Sequence, residues 1–210
     1  MPRKHVVITG TGRTGTTFLV QLLTSLGLDT GFSLDNMILD EYAKAGLEHD
    51  IRDVNAPYIV KDPIFCYYAD EVLRDESIVI EHVFVPVRDI SAAAESRHHV
   101  TKLAIPWYRF DKRWLFRRNK LVVPGGLWIT RKKHDQEDIL LRQFYKLIMD
   151  LSHSNISISF IAYPRLIKDK PYLYEKLKPI IGKIDYEEFS LSFDKTVRPD
   201  WAHRFSENDV

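Results

Sequence analysis

The residues best suited to chemistry lie near the start of the chain, where an apolar run, "HVVI", leads into "TGTGRTGTTF". Gly10, Gly12 and Gly15 satisfy the dinucleotide pattern G-x-G-x-x-G, but that site also wants a second strand ending in an acid about 20 residues further on. Asp35 stands near that distance, in "LDTGFSLDN", which contains little that makes a buried strand. Gly10 and Gly15 also have the spacing of the triphosphate loop G-x-x-x-x-G-K-[ST], with Thr16 in the place of the lysine. Without that cation a kinase or ATPase loses its main charge stabiliser. A third reading keeps the loop and changes the ligand. Backbone amides from Gly12 to Thr17 converge on a single phosphate at a helix N-terminus, aided by the hydroxyls of Thr14, Thr16 and Thr17. Arg13 then supplies a fixed charge beside the bond to be broken.

A second anion site is written downstream in "FVPVRDISAAAESR". Arg88 ends a predicted strand and Ser96 lies eight residues on, in the following helix. A guanidinium and a hydroxyl donor two helical turns away make a charge-assisted phosphate site. For the adjacent Arg97, assistance and a solvated role are both open. Between the two motifs stands "YIVKDP", which places Lys61 at the carboxyl end of a short strand, where parallel sheets bind ligands.

Together these residues resemble the sulfotransferases that use 3'-phosphoadenosine 5'-phosphosulfate, of the carbohydrate-type or bacterial kind. "GRTGTTFL" looks like their 5'-phosphosulfate loop, Arg88 with Ser96 has the spacing of their 3'-phosphate motif, and Lys61 resembles a lysine that contacts the transferring group. The resemblance spans roughly the first hundred residues. It implies a P-loop NTPase-like α/β/α fold with a central parallel sheet, the phosphosulfate nucleotide as co-substrate, and no metal. It also implies a histidine or glutamate base between the two motifs. Here the candidates are Asp62 and Glu48, then Glu41, with His49 behind them. "VVPGGLW" followed by "RKK" at residues 131 to 133 is the candidate for the segment that closes over the nucleotide.

The elements that must position these groups follow from periodicity. Phe18, Leu19, Leu22, Leu23 and Leu26 recur at helical spacing and Gly27 stops that helix. The acidic stretch from Asp29 to Pro57 reads as loop and short helices. "IFCYYADEVLRDE" has helical spacing, "IVIEHVFVPVRD" holds a strand in its second half, and "ISAAAESRHHV" opens a helix. "DQEDILLRQFYKLIMDLSHS", "ISISFIAY" and "KPYLYEKLKPII" read as helix, strand and helix. Alternating strands and helices predict a parallel sheet covered on both faces.

With 210 residues, of which 45% are hydrophobic, the expectation is one domain over 1–210 with an insertion at about 101–135. From Lys102 to Lys120 that insertion carries seven basic residues and one acid, interleaved with Trp107, Tyr108, Phe110, Trp114 and Phe116. Its aromatic faces suit sugar rings or apolar acceptors, and a helical insertion packed on the core is equally open. The 30 basic and 29 acidic residues nearly cancel, which argues against coating nucleic acid by bulk charge. Cys66 is the only cysteine, so no intramolecular disulfide or Cys-rich zinc cluster is available, and adjacent His98 and His99 are poorly placed to share one ion. No apolar run approaches the roughly 20 residues of a membrane span, and "MPRKHVVITG" leaves no room for a signal peptide. The expectation is a soluble cytoplasmic sulfotransferase acting on a hydroxyl or amine of a small-molecule or carbohydrate acceptor. The alternatives are a nucleotide-dependent kinase and a non-catalytic nucleotide-binding module.

Overall fold

In a computed structural model, which describes residues 1–41, 43–110, 125–130, 132–201 and 205, four strands form one all-parallel sheet. They are β1 (Arg3–Ile8), β2 (Ile59–Lys61), β3 (Ile78–Val87) and β4 (Ile158–Ala162), in the order β2-β1-β3-β4. Helices α1 (Thr16–Ser25), α2 (Ala69–Val72), α3 (Ile90–Phe110), α4 (Lys133–His153), α5 (Lys170–Ile181) and α6 (Tyr186–Thr196) connect and cover it.

Alternation along the strands explains the layering. Val6, Ile8, Phe84 and Ile161 point to one face and pack with Leu19, Leu22 and Leu23 of α1, Leu173 and Leu177 of α5, and Phe189 and Phe193 of α6. Val7, Val60, Val83 and Val85 point to the other, against Phe65, Val72 and the α4 residues Leu147 and Leu151. Both faces are therefore apolar and both need helices, the condition under which parallel sheets occur.

The strand order turns back at β1, with β2 on one side and β3 on the other. In such sheets the crevice at the carboxyl ends of the two central strands is where ligands bind. Val6, Val7 and Ile8 pair with Ile59, Val60 and Lys61 of β2, and Val7 and Ile8 with Val83 and Phe84 of β3, so β1 and β2 end level with each other, while β3 runs three residues further to Val87, level with the end of β4.

Several elements differ from their sequence patterns. β3 is a strand over its whole length rather than its second half: its first residues pair only with Arg3–His5 of β1, while Val83–Val87 also pair with β4. One-sided pairing leaves Val79 and Glu81 exposed, which weakens the apolar signal there. The helical spacing of "IFCYYADEVLRDE" yields only a 3-10 turn at Phe65–Tyr67 and the four-residue α2, because Phe65, Cys66, Tyr68 and Ala69 are all drawn into the core on successive turns. α3 continues ten residues beyond the point where the pattern breaks, to Phe110, and α4 starts at Lys133. Residues 111–124, with Lys112, Arg113, Trp114, Phe116, Arg117, Arg118 and Lys120, lie outside the described residues, as does Arg131. α6 has no counterpart in the periodicity reading. Its start is nonetheless written locally, since the Asp185 side chain accepts from the Glu188 amide at 2.8 Å, a D-x-x-E cap.

Among the described residues no helix is long and apolar enough to cross a membrane.

Candidate functional site

The carboxyl ends of all four strands supply one cavity of about 490 Å³. Gly12 and Arg13 follow β1, Lys61 and Asp62 end β2, Arg88 follows β3 and Tyr163 follows β4, and all six line it.

The loop after β1 is held in an unusual backbone path. Gly12 (φ +70°), Arg13 (φ +59°) and Gly15 (φ +85°) are left-handed, the conformation that turns successive amides inward as an anion nest. Arg13 accepts a strain that non-glycine residues seldom bear, which points to a role at that position. Among the described residues nothing accepts a hydrogen bond from the amides of Gly12, Arg13, Thr14 or Gly15. Gly15 caps α1, whose first amides face the same way. A Cβ on Gly12 would meet Arg97 Nη2 at 2.6 Å. Gly12→Ala is therefore expected to displace the Arg97 guanidinium and strain the loop, lowering anion affinity about tenfold or more, as measured by calorimetric titration with 3'-phosphoadenosine 5'-phosphate.

Four cations face this loop. Arg97 is only 6% exposed; its Nη2 and Nε donate to the Thr11 carbonyl at 2.6 and 3.2 Å, and its Nη1 donates to the Gly126 carbonyl at 2.6 Å. Arg13 Nε donates to Ser96 Oγ at 3.1 Å and its Nη1 to the Ala43 carbonyl at 2.5 Å. Arg88 Nη1 reaches the Arg13 carbonyl at 3.1 Å, and its guanidinium lies 4.6 Å from the Tyr163 ring centroid. Burial lowers the Arg13 pKa to about 10, with Arg88 adding repulsion, and lowers that of Arg97 to about 10, with Arg13 adding repulsion. Both remain charged at neutral pH, and a bound anion relieves the strain of crowding them.

Lys61, 3% exposed, completes the set. Its Nζ donates to Thr17 Oγ1 at 3.1 Å, the Gly46 carbonyl at 2.5 Å and Glu48 Oε1 at 3.1 Å. Three acceptors use all three of its N–H bonds. Burial lowers its pKa and the Glu48 carboxylate opposes that.

Asp62 is the unusual acid. Only 4% exposed, it accepts from the Ile64 amide at 2.9 Å and has no Lys or Arg partner among the described residues. Burial raises its pKa to about 7, with the Asp50 and Glu48 carboxylates adding to the effect of burial. Such a group exchanges its proton near neutrality.

Of the residues singled out in the sequence, Gly12, Arg13, Gly15, Thr16, Thr17, Glu48, His49, Lys61, Asp62, Arg88, Ser96 and Arg97 line this cavity. Thr14 does not: it is fully buried and its hydroxyl has no partner among the described residues, so only its amide is available to the loop. Glu41 is exposed and outside the lining. Ser96 stands against Arg13 rather than Arg88, with its own O–H donating to none of the described residues. Gly125 and Trp128, from "VVPGGLW", line the cavity, tied over the loop by the Arg97 to Gly126 bond. Tyr68, Tyr163, Arg198 and Trp201 also line it, and nothing in their local sequence marked them. For Tyr163 the one available signal was its place at the end of "ISFIAY", directly after β4. Among the described residues no group of three His, Cys, Asp or Glu side chains is placed to hold a metal ion.

The fold and site thus define an α/β protein with a parallel four-stranded sheet and a cation-rich cleft at its carboxyl edge. No family model matches the chain, and neither a curated protein nor a solved structure gives a significant match.

Proposed function

We propose that the protein is a P-loop-like sulfotransferase, moving the sulfuryl group of 3'-phosphoadenosine 5'-phosphosulfate to an acceptor. The observation that carries this reading is one cavity that joins the β1 loop, a second cation at the end of β3 and a buried lysine and carboxylate at the end of β2. A triphosphate site needs a lysine inside the loop, where this chain has Thr16.

The residues present suit the nucleotide. The loop amides with Thr16 and Thr17 hold the 5'-phosphate, and Arg88 holds the 3'-phosphate, with the Ser96 hydroxyl, which stands against Arg13, as a further donor in the same cavity. The bound nucleotide supplies an activated sulfuryl group. Lys61 and Arg13 neutralise charge that develops on the sulfuryl and phosphate oxygens as the bond breaks. Asp62 takes the acceptor's proton: Glu48 is committed to Lys61 and half-exposed, and Glu41 lies outside the cavity, so Asp62 is the carboxylate left to act. Its pKa near 7 matches that task.

Parallel titrations with 3'-phosphoadenosine 5'-phosphate, ATP with magnesium, and NAD separate this reading from its rivals. The bisphosphate is expected to bind most tightly. Tight ATP binding with none of the bisphosphate would replace the reading with a kinase; bisphosphate binding without transfer to any acceptor in a panel would leave a binding module. Arg13→Ala is expected to reduce kcat by about 10²-fold with a smaller change in nucleotide affinity, measured by steady-state kinetics and titration. A change in affinity alone would make Arg13 a binding group only.

A further inference from the structure

The β2 side of the cavity differs from the loop side in charge and in lining. Glu48, Asp50 and Asp62 all face it, with Tyr68 and Trp128. Two of the three acids are neutralised: Glu48 by Lys61 at 3.1 Å, and Asp50 by the Arg52 guanidinium in a fork at 2.7 and 2.9 Å. Asp62 is not. One of its oxygens takes the Ile64 amide and the other has no donor among the described residues. Lys61 cannot serve it, having spent its three N–H bonds. Tyr68, in the lining of the same cavity, is 7% exposed, with a buried hydroxyl that has no hydrogen-bond partner among the described residues. Buried polar atoms of this kind are rare in folded proteins and call for an explanation.

We propose that this wall binds the acceptor as a cation, an ammonium group paired with the Asp62 carboxylate between Tyr68 and Trp128, so that the acceptor class is an amine. A neutral hydroxyl would leave the Asp62 carboxylate without a direct ion-pair partner in a buried wall, whereas an ammonium supplies that partner and up to three donors. Tyr68 already carries a cation on one ring face, the Arg52 guanidinium 3.8 Å from its centroid, and Trp128 offers a second aromatic surface. The three arginines on the loop side, Arg13, Arg88 and Arg97, repel such a ligand until a phosphate or phosphosulfate neutralises them, so amine and nucleotide should help each other bind.

As a reaction the inference rests on the sulfuryl-transfer reading. The ammonium gives one proton to the Asp62 carboxylate. The freed nitrogen lone pair forms an N–S bond while the S–O bond to the 5'-phosphate breaks, its electron pair leaving with the phosphate oxygen. The second nitrogen proton goes to solvent.

The test uses a matched pair, 2-phenylethylamine and 2-phenylethanol, titrated calorimetrically into the full chain with and without saturating 3'-phosphoadenosine 5'-phosphate. The amine is expected to bind at least about tenfold tighter than the alcohol, and Asp62→Asn to remove that advantage while leaving the alcohol within about twofold. The bisphosphate is expected to tighten the amine and not the alcohol, a comparison made on the unaltered protein and independent of how the variant folds. An amine that binds no better than its alcohol, or a folded Asp62→Asn that keeps the preference, overturns the proposal. The bisphosphate titrated alone tells the two readings apart. Bisphosphate binding without amine preference removes the acceptor assignment only; amine preference without bisphosphate binding removes the nucleotide only.

Discussion

Asp62→Asn is expected to lower kcat/KM for the proposed sulfuryl transfer by about 10²–10⁴-fold, because it removes the one carboxylate of the cavity that, among the described residues, is not paired with a basic side chain, while keeping the side chain's shape and its bond from the Ile64 amide. The same substitution is expected to raise stability at alkaline pH. The folded pKa of about 7 lies above the ordinary 3.8, so between about pH 4 and 7 the folded state holds a proton that the unfolded chain has lost. Stability therefore falls as pH rises through that window, and the penalty is complete above it, at most about 4 kcal/mol. Asparagine carries no such penalty. Thermal melts at pH 4.5 and pH 8 should show the variant gaining on the wild type at the higher value. A difference that stays flat with pH would mean that Asp62 is ionised at no extra cost, contrary to its burial. On the sulfuryl-transfer reading, kcat/KM of the unaltered protein should climb through about pH 7 as Asp62 ionises and fall at alkaline pH as Lys61 deprotonates below its usual range.

Arg88→Ala is expected to weaken 3'-phosphoadenosine 5'-phosphate by about 10²-fold and 5'-AMP by no more than about threefold, as read by titration of both ligands. A charge-assisted bond to phosphate is worth about 1.5–3 kcal/mol, and only the first ligand carries the 3'-phosphate. The contact geometry gives this experiment a second outcome of interest. Arg88 also holds the Arg13 carbonyl at 3.1 Å, so an indirect effect on the loop would cost both ligands alike. Equal losses would therefore reassign Arg88 from ligand to loop support. Arg88→Lys keeps charge without the planar fork and should fall between wild type and alanine for the bisphosphate.

Much of the site was legible because it is made of short segments with local rules. Glycines at fixed offsets after an apolar run fix a strand, a left-handed turn and a helix start without help from elsewhere. A basic or acidic residue directly after a strand is placed at the sheet's carboxyl edge by the alternation of strands and helices alone. This is why Gly12, Arg13, Lys61 and Arg88 could be placed at that edge from the sequence. Helix α5 was equally readable, bounded by the Asp169 cap and Gly182.

What the sequence could not determine is which neighbours these groups meet. Arg97 follows Ser96 directly, and nothing local says whether it faces water or the interior; only the packing of α3 against the loop and the strap at Gly126 buries it. Glu41, Glu48 and Asp62 were three acids of one kind in one region. The tertiary structure separated them, leaving Glu41 outside, pairing Glu48 with Lys61, and burying Asp62 without an ion pair among the described residues. The reason is physical: backbone conformation is set by residues a few positions apart, whereas desolvation and ion pairing depend on groups brought together from distant parts of the chain. Sequence alone determined the strand ends and the loop; the fold decided which of these carboxylates is buried in the cavity and which is paired or left outside it.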